Sequence, residues 1–437
     1  LFLMLQEEVC RRQVLKVASG AVLGGTLPSV LSESAQAQSS ESWPQFGYDS
    51  ANTGHAPNNT GPVNDTEEQW SFETEDSVKP SPALVDGTVY IGSGDGTVYA
   101  LDGEAGTEKW SFETGSFVRS SPAVTEDTVY FGSGDGTVYA LDAQEGTRKW
   151  SIELEFSAVD SPPTVANGTV YFGTRGDTVY ALDAEDGTEQ WSFDTGGNVE
   201  SSPAVAEGSV YITNRIPMIG GENNDAVHAV NAEDGTEQWS VNLGTGSVSS
   251  PAVAGGRVYF GTRDNTVYAL DTEDGTEQWS FETGDQVDSS PAVANGVVYI
   301  GSNDATVYAL DTEDGTEQWS FETGSNVVSS PAVVDGTIYA GSDSVYALDA
   351  EDGTDQWSYD IGYLESSPAV ADGTVYVGSN DTAVYALTEN TEMAGDSQDG
   401  ILSSLIGMVS GITNPVVRVL TGIVSLTIGI LINYIIP

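Results

Sequence analysis

The chain has 437 residues, with 66 acidic side chains against 13 basic ones and a formal net charge of −53. Such an excess excludes direct binding of nucleic acid, whose phosphates it would repel. The acids are interspersed with Val, Tyr, Trp and Phe that can build a core, which also excludes a disordered acidic tail.

In chain order, the first element is a leader over residues 1–37. Arg11-Arg12-Gln13-Val14-Leu15-Lys16 resembles a twin-arginine export signal, with Met4 as a plausible start. A modestly apolar stretch over residues 17–31 follows, and Ala35-Gln36-Ala37 has the small-x-small form of a cleavage site. An ordinary basic secretory leader is the alternative. The only cysteine, Cys10, lies in this leader. Cleavage therefore predicts a mature protein without disulfides, Cys-based metal sites or a cysteine nucleophile. Residues 38–65 form a lead-in segment.

Residues 66–388 are repetitive. Trp70, Trp110, Trp150, Trp191, Trp239, Trp279, Trp319 and Trp357 recur mostly 40 residues apart. The sixth period reads as four short strands, at 287–293, 297–302, 306–311 and 316–323. Turn pairs such as Asn295-Gly296 and Asp314-Gly315 separate them. Four strands per 40 residues is the pattern of a propeller blade, and the absence of a 3.6-residue apolar period excludes a helical solenoid. The first three strands recur eight times, but the eighth copy lacks a fourth strand, while residues 67–74 precede any complete blade. The expected fold is therefore all-β, an eight-bladed propeller whose ring is closed when residues 67–74 become the outer strand of blade eight. That pairing removes two open sheet edges.

A polar linker over residues 389–400 leads to a tail over residues 401–437 with no acid and a single base, Arg418. Its last 18 uncharged residues, 419–436, are just long enough to span a bilayer as a helix. This apolar helix is expected to be a membrane anchor, with a hydrophobic oligomerisation tail as the alternative. Leader and tail together predict a monomeric propeller on the extracellular face of the cell membrane. Only four lysines accompany the acids. Self-repulsion destabilises such a protein at low salt and is screened at molar salt, where the Debye length is about 3 Å. The composition therefore looks haloarchaeal, with a merely acidic secreted protein as the alternative.

The segment Ala181-Leu182-Asp183-Ala184-Glu185-Asp186-Gly187-Thr188-Glu189-Gln190-Trp191 resembles the tryptophan-docking motif of pyrroloquinoline-quinone (PQQ) repeats, A-x-D-x-x-T-G-x-x-x-W. Ala, Asp, Gly and Trp match, while Asp186 stands where the family has Thr. Trp43-Pro44-Gln45-Phe46 also resembles the lead-in of such proteins. The eight tryptophans are accordingly expected to dock blade on blade, each burying roughly 200 Å², rather than to hold a cofactor.

The resemblance implies two activities. Quinoprotein dehydrogenases add PQQ and calcium in the central mouth, held by acids, an amide, an aromatic floor and often a vicinal cysteine pair. The barrel-assembly propeller of bacterial outer membranes is instead a non-enzymatic protein scaffold. This chain has no cysteine pair, and its residues 267–284 and 307–324 are identical, whereas an active site needs different groups in different blades. No cofactor is therefore expected, PQQ and calcium belonging to the alternative reading. The Asp-x-x-Asp-Gly-Thr turns lack the alternating ligand spacing of calcium loops, and His55 and His228 are too isolated for a metal site.

Nine Lys or Arg residues fall in the propeller. Lys79 and Arg119 precede the inner strands of blades one and two. Arg175, Arg215 and Arg263 lie in the loops between the second and third strands of blades three, four and five. In a propeller these two kinds of loop share a face. Along the inner-strand approach the eight blades read Lys79, Arg119, Asp160, Glu200, Val248, Asp288, Val328 and Glu365, an electrically lopsided mouth. Blade four adds a long insertion at residues 214–225 on that face, with Arg215, Pro217, Met218 and Gly220-Gly221, and departures from a regular scaffold are where function is placed. The expected binding residues are Lys79, Arg119, Arg175, Arg215, Arg263 and Met218, facing a protein partner or an anionic ligand; simple pairing of these cations with nearby acids is the alternative. A surface structural or adhesion module is a third reading, compatible with N-x-S/T sequons at Asn58, Asn64, Asn167 and Asn380.

Overall fold

A computed structural model describes residues 41–125, 127–154, 157–215 and 226–390. The expected leader, the membrane tail, the linker beyond Asn390 and the blade-four residues 216–225, Met218 among them, lie outside the described residues. Among the described residues no helix is long and apolar enough to cross a membrane.

The repeats form eight four-stranded antiparallel sheets in a ring, an all-β propeller. Blade one shows the pattern, with strands Ala83–Val85, Thr88–Gly92, Thr97–Asp102 and Glu108–Glu113 from the channel outward. The second strand is buried throughout and the outermost is largely exposed, which places the acids at the periphery. Asp86 and Gly87, both at positive φ, make the two-residue turn that suits the strand twist. The inner strands are shorter than expected. In blade six the strand is Ala292–Ala294 rather than 287–293, because the residues before Pro291 line the channel mouth and a proline offers no N–H to a ladder.

Neighbouring blades are fastened by the tryptophans. Trp279 Nε1 donates to the Thr312 carbonyl of the next blade at 2.9 Å, and Trp70 and Trp110 do the same to Gly103 and Ala143 at 2.8 and 2.9 Å. The glycine of each docking motif lies under the preceding blade's indole. A Cβ on Gly315, whose φ is +71°, would come within 2.6 Å of Trp279. Trp150 is only half-buried, while the other seven are buried.

Ring closure is as expected, with the strand at Thr66–Glu73. It pairs antiparallel with Ala383–Glu389 of blade eight, Trp70 opposite Ala386. Blade eight consequently lacks the turn that would receive Trp357. Pro62 fills the place: its carbonyl accepts from Trp357 Nε1 at 2.7 Å and from the Tyr339 hydroxyl at 3.0 Å.

The lead-in segment has a structural role that its sequence did not disclose. Residues 43–59 run round the channel as a belt and meet the middle residue of every inner strand in turn. The N–H groups of Leu84, Val124, Val205, Val253, Val293 and Val333 donate to the carbonyls of Trp43, Pro44, Ser50, Ala51, Thr53 and Gly54. Blade three is met by a side chain, the Val165 N–H donating to Gln45 Oε1 at 3.1 Å. Blade eight is met by Asn59 Nδ2, which donates to the Val370 carbonyl at 2.8 Å. The free inner edge of each sheet, which would otherwise be an unpaired edge, is thus satisfied by one continuous strap. Gly54, at φ +61°, allows the closest passage, since a Cβ there would stand 2.8 Å from the Ala292 methyl.

Candidate functional site

The belt divides the channel. Along each inner strand the approach residue comes first, a serine two positions later in most blades, and the belt contact deeper. Phe46 of the belt rises into the floor of the mouth. The mouth is therefore a cup with a cavity of about 290 Å³. The eight approach residues predicted from the sequence all line it, Lys79, Arg119, Asp160, Glu200, Val248, Asp288, Val328 and Glu365, together with Arg175.

Four of the five predicted cations are held by carboxylates of this same ring. Lys79 Nζ lies 2.6 Å from Glu365, Arg215 Nη2 3.1 Å from Glu200, and Arg263 Nε 3.0 Å from Asp288. Arg175 spans two blades, 2.7 Å from Asp160 and 3.4 Å from Glu200. Where arginine is absent an amide does the same work: Asn303 Nδ2 donates to Asp288 at 3.1 Å and Asn380 Nδ2 to Glu365 at 3.0 Å. The last bond engages the side chain of the Asn380 sequon. Arg119 differs. Its guanidinium lies over the Phe117 ring, 4.7 Å from the centroid, and it makes no ion pair among the described residues. On a chain of charge −53, five cations stand here against four carboxylates. Met218 falls outside the described residues, so the structure does not place it beside the arginines.

Asp160 is the most buried charge of the ring, 8% exposed. Burial pushes its carboxyl pKa up, against the pull of Arg175 and Arg119 and with a further push from Glu200. Neither of its oxygens receives a well-aligned hydrogen bond among the described residues, so the contact with Arg175 is an ion pair without hydrogen-bond geometry.

Below the charges lies a ring of serine hydroxyls. Ser81 N–H donates to Ser121 Oγ at 2.8 Å, and Ser250 to Ser290, Ser290 to Ser330, Ser330 to Ser367 and Ser367 to Ser81 at 2.8 to 3.0 Å. The circle breaks at blade three, where Pro162 occupies the serine position. Single-sequence reasoning missed this ring, although the Ser-Ser-Pro signature of six repeats, Pro80-Ser81-Pro82 in blade one and the change to Ser161-Pro162-Pro163 in blade three were visible.

His228 sits outside the mouth, where other blades carry tyrosine. It packs edge-on against Phe193 and its Nδ1 lies 3.2 Å from Glu237. Burial lowers its pKa despite the pull of Glu237, so the unfolded chain takes up the proton more readily. Stability is full above about pH 6.5 and falls as pH drops below it. The expected result is a melting temperature that declines more steeply between pH 7 and 5 in the parent than in His228→Phe, measured by calorimetry at constant high salt. Parallel curves would contradict it.

Residues 62–159, 155–222, 223–344 and 323–392 match the model of the outer membrane protein assembly factor BamB. The chain belongs to this PQQ-repeat family. No curated protein sequence matches it. Among solved structures it is similar to BamB from Moraxella catarrhalis, at 17% identity over 74% of this chain and 100% of that one, TM-score 0.63. It is also similar to quinohemoprotein alcohol dehydrogenase from Comamonas testosteroni, at 17% identity over 79% and 80%, TM-score 0.68. A europium-containing methanol dehydrogenase matches at 15% identity over 80% and 98%, TM-score 0.69. At these identities the likeness establishes the propeller and no more.

The dehydrogenases among these similar structures raise the question of a quinone and a metal. The mouth does not fit the metal. Calcium needs six or more oxygen ligands, whereas the carboxylates here stand one per blade, each beside a guanidinium, ammonium or amide group. No cluster of three or more His, Cys, Asp or Glu able to hold a metal occurs among the described residues.

Proposed function

We infer that this PQQ-repeat protein is a non-enzymatic, exported binding and assembly scaffold whose partner or ligand docks on the mouth face. The observation that carries the reading is the concentration of symmetry-breaking charge there. Most of the ring repeats identical, structurally committed residues, while the mouth is lined by Lys79, Arg119 and Arg175, has Arg215 and Arg263 paired to its carboxylates, and holds a buried carboxylate without a well-aligned hydrogen bond among the described residues. Membership of the BamB family supports an assembly role in general terms. Export by the twin-arginine route, anchoring through the apolar tail and a high-salt habitat complete the proposal, supported by residues 11–16, the uncharged run 419–436 and the acidic composition.

The test is capture of partners by the full chain in high salt. Simultaneous replacement of Arg175, Arg215 and Arg263 by glutamine is expected to reduce captured partner at least tenfold, with the propeller still folded by circular dichroism. An unchanged partner profile would remove the mouth face from the reading. Reconstitution with PQQ and calcium is expected to give no dye-linked oxidation of alcohols or sugars; turnover would restore the dehydrogenase alternative.

A further inference from the structure

The break in the serine circle and the two unusual charges of the mouth fall in one sector, between blades two and three. At the six other seams that do not involve Pro162 a serine N–H meets the next blade's hydroxyl. Ser121 faces Pro162, which has none, and the Ser121 N–H donates to no protein atom among the described residues. Two residues earlier stands Arg119, the one predicted mouth cation without an ion pair among the described residues, its guanidinium over the Phe117 ring. On the adjoining blade Asp160, nine-tenths buried, presents Oδ1 with no partner. Arg119 and Asp160 are near enough for the guanidinium charge to act on the carboxyl, yet they do not pair. The sector thus offers a cation and a backbone donor beside Asp160 Oδ1, the carboxylate oxygen that the ion pair with Arg175 does not engage, all lining one cavity of about 290 Å³.

A buried acceptor left without a hydrogen bond is costly, which applies to Asp160 Oδ1; Arg119 is exposed and makes no ion pair among the described residues. A ligand that repairs the deficit needs a carboxylate for Arg119 and the Ser121 N–H, and an N–H-bearing cation within a few ångströms for Asp160. A phosphate or a dicarboxylate fails the second condition, and a polyamine fails the first. Val248 and Val328 supply an apolar wall across the cup, and the floor is the Phe46 ring.

Resting on the reading of this face as the binding surface, we propose that the mouth takes a small zwitterion of the α-amino-acid class. Its carboxylate is held by Arg119 and the Ser121 N–H, its ammonium by Asp160, and an apolar side chain faces Val248 and Val328. The cup is closed beneath by the belt, so the ligand enters and leaves on the mouth face alone.

The experiment is titration calorimetry of the full chain in high salt with L-leucine, N-acetyl-L-leucine and L-leucinamide. Leucine is expected to bind, and each blocked form to bind at least tenfold more weakly. Arg119→Gln should abolish the preference for leucine over leucinamide, and Asp160→Asn the preference over N-acetyl-leucine. Asp160→Asn also breaks the ion pair with Arg175, so its fold is checked by circular dichroism, and loss of selectivity in the folded variant reports on recognition. No leucine binding, or equal binding of the three compounds, overturns the proposal. If partner capture still depends on Arg175, Arg215 and Arg263 in that case, the zwitterion inference fails and the mouth reading stands. If capture is also independent of them, both fall.

Discussion

Trp70→Ala is expected to lower the unfolding free energy by about 3–5 kcal/mol, the usual cost of truncating a buried tryptophan, and to loosen the ring at one seam. Trp70 is 8% exposed, its Nε1 donates to the Gly103 carbonyl at 2.8 Å, and Gly106 lies directly beneath it. The same local contacts exist at Trp319, bonded to Ala350, and Trp319→Ala should cost a similar amount. The two differ in what holds the strand. Trp319 sits on Glu317–Glu322, joined to its neighbour in the sheet by a short turn, whereas Trp70 sits on Thr66–Glu73, joined to blade eight only by pairing with Ala383–Glu389. Hydrogen exchange should therefore accelerate across Thr66–Glu73 in Trp70→Ala and leave the ladder of Glu317–Glu322 slow in Trp319→Ala. Equal protection of both strands would show that the closing strand is no weaker than a covalent hairpin.

Removal of the belt has the other large effect. Deleting residues 41–60 from the full chain exposes the inner edge of all eight sheets and strips six backbone acceptors from inner-strand N–H groups. At about 1 kcal/mol per bond, the loss is on the order of 5 kcal/mol, read as a lowered calorimetric melting temperature in high salt. A milder probe is Asn52→Ala. Asn52 is 2% exposed, and its Nδ2 reaches the carbonyls of Ser202, Pro203 and Pro251 at 3.2 to 3.3 Å. This variant should cost about 1–3 kcal/mol. Melting unchanged by the deletion would reduce the belt to a passive cover.

The two effects separate the kinds of information that the chain carries. The tryptophan period, the turn pairs and the count of strands made the blades, their number and the closing partner of residues 67–74 legible, because each is a local pattern repeated many times. The circle of approach residues was legible for the same reason: once the repeats are aligned, equivalent positions must meet round the axis. The belt was not. Residues 43–59 bear no period, and six of their eight contacts are made by backbone carbonyls that any residue supplies, so little in their side chains announces the belt. Nor was the substitution of Pro62 for the missing turn of blade eight, which depends on where the chain happens to pass.

In the mouth the division is finer. The sequence by itself determined which charges lie on the shared face, since strand order and loop parity decide that. Only the tertiary structure decided which of them neutralise one another. Pairing depends on whether a side chain reaches across a blade boundary, as Arg175 does to Glu200 and Arg263 to Asp288, and on where it is diverted, as Arg119 is onto Phe117. Charge at a position is a property of the residue; satisfaction of that charge is a matter of a few ångströms between residues far apart in the chain. That distinction leaves Arg119 without an ion pair among the described residues, and Asp160 with an ion pair to Arg175 but no well-aligned hydrogen bond.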